Sequence, residues 1–565
     1  MNERKTKIDH HRARLSNRRG KVHLVLLILG ITIGVAVTLA GTFVLYKKMR
    51  GKNIDGKAFY LLNKGKEYVK NYAEEKIRGF SRQSKRGDEN KEGSILHLDV
   101  HADRVLRKIN PMIYGSNLSA KAEFEMDVAR FGKDVGITNF RFPGGGSPGY
   151  RWKLGTYDFS DRADNAPLSN MENVMKFCQI AHAKLVIQVN IESGTPEEAA
   201  EWVRYMNKGL GVRVDYWELG NEAYGDWDKA YMPGEEYVKV IKAYSKAMKK
   251  ADPTIKIGAD WGGARYQKFD DAVIKGAANH IDFVSFHWYP SHINPHHKYK
   301  GRTHPLPEEL MANSLAVGKL VQRFEDMVEK FAPQRKGKIE FTIMEWDGSW
   351  DAVPSDLDYE YEGMMWSLAN AIFYADTLGQ FALHGISVAN HYTFQEVMFG
   401  LIRGWDYNAG WGGSRWDRKT IRPKGLALKL FANHFGDILI EDYLTGSPSY
   451  RKDADWRPDS YVGEVPYVTS YASRSIDGKS VTIVLINKHA EKDFKINISL
   501  NGADVDERGD VWILNGPDLK AQNDGSPEVV DIKKYDLSGL NNKFRYSVPA
   551  HSVSLLKIPV RLKSD

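Results

Sequence analysis

Residues Tyr216–Trp227 read YWELGNEAYGDW, an apolar, strand-like run that ends on a carboxamide and then a carboxylate, Asn221 and Glu222. Buried strands of parallel sheets are rich in apolar and aromatic residues, so VDYWELG is core material, and Asn221 and Glu222 stand where the strand opens into a loop. In a parallel barrel, that end of each strand is where reactive side chains collect. A barrel needs seven more such strands, and the chain supplies them.

From Ile109 onward, short apolar strands alternate with longer helical segments. The strands are INPMIYGSN (109–117), TNFRFPGG (138–145), KLVIQVN (184–190), VDYWELGNE (214–222), IKIGADW (255–261), IDFVSFHWYP (281–290), IEFTIMEWD (339–347) and GISVANHYT (385–393). Between them, stretches such as PEEAAEWVRYMNKGL and GEEYVKVIKAYSKAMKK space apolar residues by three and four, the period of an amphipathic helix. Eight strand-then-helix units predict an α/β protein with a closed (β/α)8 TIM barrel over 109–422. Within 423–565, after a last barrel helix, apolar and polar residues alternate between turn signals, the pattern of an antiparallel β-sandwich. The segment 94–108, with ILHLDVHAD, alternates likewise and is expected to add a strand to that sandwich.

The chain has 565 residues, 42% hydrophobic and 27% charged, enough for a large core and more than one domain. Its single cysteine, Cys178, excludes an internal disulfide framework and sits in an apolar setting that reads as core. The net charge of +8 divides unevenly: residues 1–93 hold 22 Lys+Arg against 9 Asp+Glu, and the remainder 58 against 63. The basic character therefore belongs to the N-terminal tail, which argues against nucleic acid as a partner of the folded domain.

Within that tail, Val22–Tyr46 is an uncharged apolar run long enough for one transmembrane helix, longer than a signal-peptide core and without a clear cleavage site. Eight Lys/Arg precede it in the 1–21 tail, and fewer follow closely, so the positive-inside bias predicts a single-pass membrane protein with a cytoplasmic N-terminus and an extracytoplasmic catalytic domain. Residues 47–93 read as a charged juxtamembrane linker.

Polar residues gather at the C-terminal ends of the predicted strands: Asn117, Arg141, Asn190, Asn221, Glu222, His287, Tyr289, Glu345, Asn390 and Tyr392. Glu222 closes the fourth strand and Glu345 the seventh, inside FTIMEWDGSW, so a barrel would point both into one cleft. Two facing carboxyl groups are what glycosidic cleavage needs, one as nucleophile and one as acid then base in a retaining enzyme. The acid must stay protonated near neutral pH, which burial and a second carboxylate favour. Asn221 suits the sugar hydroxyl beside the reacting carbon, His287 and Tyr289 suit orientation of the nucleophile, and Trp227, Trp288, Trp346, Trp350 and Tyr392 suit stacking on sugar rings. Asp347 and Glu396 are candidates for outer subsites.

FRFPGGGSPGYRWKLG, YWELGNEAYGDW, DFVSFHWYP and IMEWDGSW, in that order, resemble the family 51 glycoside hydrolases, the α-L-arabinofuranosidase group, over about Ile95 to Pro559. The resemblance implies the barrel-plus-sandwich architecture and a polysaccharide or oligosaccharide substrate; no Cys/His cluster has zinc-ligand spacing, and no metal or cofactor is expected. It also implies Glu222 as acid/base, Glu345 as nucleophile, and Arg141, Asn221, His287 and Tyr289 in support. Two departures bear on the substrate: Asn117 stands near the place of a sugar-contacting Glu of the family, and Thr393 replaces a Gln in the eighth strand. INPMIYGSN and FHWYP are equally similar to the family 44 endoglucanases and xyloglucanases, which use the same two-glutamate mechanism.

Three readings stand side by side. The first is a retaining glycosidase, either exo-acting and arabinofuranosidase-like or an endo-acting β-glycanase. The second is an inactive carbohydrate-binding barrel, against which the presence of both glutamates argues. The third is a metal hydrolase on His287, His292, His296, His297 and His304, which lack helical ligand spacing.

Overall fold

A computed structural model describes residues 95–563, apart from 119–125, 146–148, 158–169, 292–304, 350–363, 397–398, 404–419, 455–456 and 525–527. The apolar run Val22–Tyr46, its basic tail and the 47–93 linker lie outside the described residues, as do Trp350 and the loop histidines 292–304. Among the described residues, no helix is long and apolar enough to cross a membrane.

Eight parallel strands close into a barrel: β1 (Gly115–Asn117), β2 (Asn139–Phe142), β3 (Lys184–Val189), β4 (Tyr216–Leu219), β5 (Lys256–Trp261), β6 (Phe283–Trp288), β7 (Glu340–Trp346) and β8 (Ala389–His391). Each falls inside its predicted segment, but several are shorter. The first opens with a 3-10 turn, Pro111–Ile113, because Asn110 caps it by accepting from the Met112 N–H, and only Gly115–Asn117 remain for pairing. β2 stops at Phe142 because Pro143 has no N–H to continue the ladder.

Helix boundaries follow local chemistry. Helix Pro196–Arg204 begins with Pro at its first position, Thr195 accepting from the Glu198 N–H, and Glu197 and Glu198 in the first turn, where the helix dipole favours anions. Helix Leu368–His384 is capped by Ser367 and ends at Gly385, whose φ of 71° is left-handed. That helix is almost wholly buried because it lies between the barrel and the second layer.

The second layer is one 10-stranded sheet rather than two separate ones. It curls around its own core of Leu98, Val100, Ile440, Ile483, Ile498 and Leu556. Strand Leu96–Lys108 joins it as expected, antiparallel to Ile438–Thr445 but parallel to Phe494–Asn501, so the sheet is mixed at this point. Its outer face docks on the barrel through a buried carboxylate, Asp376, which pairs with Lys488 at 2.8 Å and accepts from Tyr471 and Thr469, each at 2.7 Å. A buried charge needs such a complete set of partners.

Candidate active site

The β4 chain leaves the barrel through a sharp turn. Gly220 adopts φ 89° and Glu222 φ 49°, a left-handed conformation that costs a residue with a Cβ about 1 kcal/mol or more. Asp260, at the end of β5, secures the turn by accepting from the Ala223 N–H at 2.9 Å. The Glu222 carboxylate, 20% exposed, then faces a cavity of about 570 Å³ lined by Asn221, Tyr224, Trp227, His287, Tyr289, Glu345 and Tyr392, among others. Gly145 also lines it, at φ 70°; a Cβ there would lie 2.8 Å from the Tyr392 ring.

Glu345 lies opposite, nearly buried near the end of β7, in register with His287 on β6. One oxygen of Glu222, one of Glu345 and a ring nitrogen of His287 all lie within 4.8 Å of one another. The two carboxylates differ in their partners. Glu345 Oε1 accepts from Arg141 Nη1 at 2.8 Å, and Oε2 accepts from the Tyr289 hydroxyl at 2.9 Å. Burial, with the charge of Glu345, pushes the Tyr289 phenol well above its ordinary value, so it stays a donor. Glu222 accepts from Trp227 Nε1 at 2.7 Å and from the Tyr224 hydroxyl at 3.2 Å, and its Oε1 lies 2.9 Å from His287 Nδ1.

His287 sits between the pair, with Nδ1 also 3.5 Å from Glu345 Oε2. Burial opposes its charge, but Glu345 and the hydrogen bond to Glu222 outweigh that and raise its pKa to about 9. At neutral pH it is an imidazolium that donates to Glu222. Glu222 accordingly departs from the sequence expectation: burial pushes its pKa up, but the His287 contact and the Trp227 and Tyr224 donors outweigh burial and hold it below the ordinary value. The arrangement provides a fixed, buried carboxylate and, across from it, a second carboxylate hydrogen-bonded to a proton carrier. The same three side chains could each offer a ligand atom to a cation, although His287 would first have to release the proton it holds up to about pH 9.

Residues 204–362 match the profile of the glycosyl hydrolases family 39. Over 523 residues, the chain is 24% identical to a probable alpha-L-arabinofuranosidase C of Aspergillus clavatus, covering 81% of this chain and 96% of that relative. The fold matches an arabinose complex of the alpha-L-arabinofuranosidase from Thermotoga maritima with a TM-score of 0.69 at 22% identity, over 82% of this chain and 100% of that one. The chain is a glycoside hydrolase, and it resembles the family 51 enzymes. A family 44 xyloglucanase from Paenibacillus polymyxa shares the fold of this hydrolase more loosely, with a TM-score of 0.58 at 13% identity, over 83% of this chain and 100% of that one.

Within the hydrolase, the structure sorts the sequence candidates. Glu222, Glu345, Asn221, His287, Tyr289 and Tyr392 line the cavity, as do Trp227 and Trp288. Arg141 and Asn117 lie buried behind it: Asn117 gives its amide to the Met344 carbonyl at 2.8 Å and accepts from Arg141 at 2.9 Å, so both its polar ends are committed within the protein. Asn190 is turned to its own loop, accepting from the Glu192 and Ser193 N–H groups, each at 3.0 Å. Trp346 is core, stacked 4.3 Å from Tyr374, because neighbouring strand residues face opposite ways and Glu345 takes the inward side. Asn390 is fully buried, with its amide 3.3 Å from the Met344 sulfur. Asp347 is no subsite residue: it is sealed in an ion pair with Lys424. Glu396 caps the Phe399 N–H at 2.7 Å. Cys178 is buried, and burial pushes its thiol up.

Other residues escaped the sequence reading of the hydrolase. Arg457, Pro458 and Asp459 reach the cavity from the chain between two strands of a small hairpin, Ser449–Lys452 and Gly463–Pro466. No local motif marks a loop that arrives from so far along the chain. Glu218, in the middle of β4, is fully buried against Arg141. Its signal was visible: a carboxylate inside a buried apolar strand requires a partner.

Proposed function

We propose that this hydrolase is a retaining, exo-acting α-L-arabinofuranosidase-like enzyme, with Glu345 as nucleophile and Glu222 as acid/base. The separation of the two carboxylates carries the reading: they approach within 4.8 Å, which suits direct attack by one of them. An inverting pair needs a wider gap of roughly 6.5–9.5 Å to admit a water. Arg141 and Tyr289 support Glu345 as the nucleophile, since their two hydrogen bonds fix the position of its carboxylate.

In the first step, the Glu345 carboxylate attacks the anomeric carbon as the bond to the leaving oxygen breaks, and Glu222 passes to that oxygen a proton that it takes from His287. Esterification removes the charge of Glu345, the largest influence raising the His287 pKa, so His287 yields its proton more readily to Glu222 across 2.9 Å. In the second step, Glu222 takes a proton from water and returns it to His287, the water oxygen bonds to the anomeric carbon, and the Glu345 ester breaks to release the sugar. We also propose that Val22–Tyr46 anchors the chain with its catalytic domain outside the membrane. Protease treatment of intact spheroplasts tests this, since protection of the catalytic domain would reverse the orientation.

The test of activity is hydrolysis of aryl α-L-arabinofuranosides, xyloglucan, β-glucans and xylans by the full-length chain, beside its Glu222→Ala and Glu345→Ala variants. Release from the arabinofuranoside, lost in both variants, supports the proposal. Early release of oligosaccharides from a polymer alone would replace it with an endo-glycanase.

A further inference from the structure

We propose that Glu218 is a positioning residue for the hydrolytic reaction, a buried carboxylate beneath the cavity that aims Arg141 at the nucleophile Glu345 and balances the charge of Arg141 and His287. The proposal rests on the retaining-glycosidase reading of the site. Glu218 is fully buried, and its two oxygens grip one edge of the Arg141 guanidinium, from Nε to Oε2 at 2.5 Å and from Nη2 to Oε1 at 3.1 Å. A two-point contact of this kind fixes the plane of the guanidinium as well as its place. From that plane, Nη1 reaches Glu345 Oε1 at 2.8 Å, and Nη2 reaches Asn221 Oδ1 at 2.8 Å. The aim of Arg141 at the reacting carboxylate, and at the residue beside Glu222, is thus set from its far edge.

A second contact runs to His287. Its Nε2 lies 4.0 Å from Glu218 Oε1 and has no hydrogen-bond partner among the described residues. The imidazolium therefore faces three carboxylates, Glu222 and Glu345 at Nδ1 and Glu218 at Nε2, with Arg141 as the opposing cation. Ser285 on β6 also donates to Glu218, which holds the carboxylate in place from a third strand. Asp260 adjoins this network as well: burial first, and then the charge of Glu218, push its carboxyl well above the usual range.

Two variants of the full-length chain separate aim from charge. Glu218→Gln keeps the shape and removes the charge; Glu218→Asp keeps the charge and shortens the reach. With histidine-labelled protein, the His287 titration, assigned by comparison with His287→Gln, is expected to fall by about one pKa unit or more in Glu218→Gln and to persist in Glu218→Asp. On an aryl α-L-arabinofuranoside, both variants are expected to lose kcat by about tenfold to a hundredfold while KM stays within about threefold, as a misdirected reacting group would produce. An unchanged His287 titration in Glu218→Gln, or wild-type kcat in both variants, would overturn the proposal. If the wild-type chain hydrolyses no glycoside, the retaining-glycosidase reading fails, and the titration still decides the place of Glu218 in the charge balance.

Discussion

Arg141 on β2 donates from Nη1 to Glu345 Oε1 on β7 at 2.8 Å, so a cation with no exposed surface holds the Glu345 carboxylate from across the barrel. Burial opposes the charge of Arg141, yet Glu218 and Glu345 beside it raise its pKa, and the guanidinium stays charged. Replacing it strands two buried anions. Arg141→Gln is expected to lower stability by about 3–5 kcal/mol, the usual cost of breaking a buried ion pair. Chemical denaturation measures it, and a loss under about 1 kcal/mol would show that the network tolerates the gap.

His287 gives a pH prediction with a definite sign. Its pKa is raised to about 9 in the fold from an ordinary value of 6.5, so its contribution is complete below pH 6.5 and is lost as pH rises through 9. The contribution is on the order of 3 kcal/mol, and the matching shift of Glu222 belongs to the same contact. Urea denaturation at pH 6 and pH 9.5 should show this loss in the wild type and a flatter response in His287→Gln.

Trp227 combines an exposed ring with an indole N–H that donates to Glu222 Oε2 at 2.7 Å. That donor favours the ionised carboxylate, so Trp227→Ala is expected to raise the Glu222 pKa, read from the carboxylate titration of the variant beside the wild type. It is also expected to weaken binding of substrates with a sugar leaving group. An unmoved Glu222 titration would assign Trp227 to stacking alone.

Much of this architecture was legible in the chain. The eight strands showed because apolar strand and amphipathic helix have different periods, and Glu222 and Glu345 showed because each ends such a strand. The residues expected at the sugar that lie off the cavity do so for one physical reason: a strand end places a side chain near the cavity without saying which way it faces. Asn117, Asn390 and Trp346 face the packed wall, whereas Asn221 and Tyr392 face the opening. The low pKa of Glu222 depends on His287, which approaches it from 65 residues along the chain, a proximity that only the closed barrel creates.

Lys424→Met tests the distinction between framework and site. Lys424 pairs with Asp347 in full burial, two residues beyond Glu345, and does not line the cavity. The variant is expected to lose about 3–5 kcal/mol of stability through the stranded carboxylate. At a temperature where it remains folded, its pH–activity profile is expected to match the wild type, and a shifted profile would bring Asp347 into the reaction.

The most direct test of the central claim is mass spectrometry of the enzyme trapped with a 2-deoxy-2-fluoro arabinofuranosyl donor bearing an activated leaving group. The predicted result is one added glycosyl unit on the peptide that carries Glu345. Turnover of that donor without an adduct, or an adduct on Glu222, would contradict the assignment of Glu345 as nucleophile.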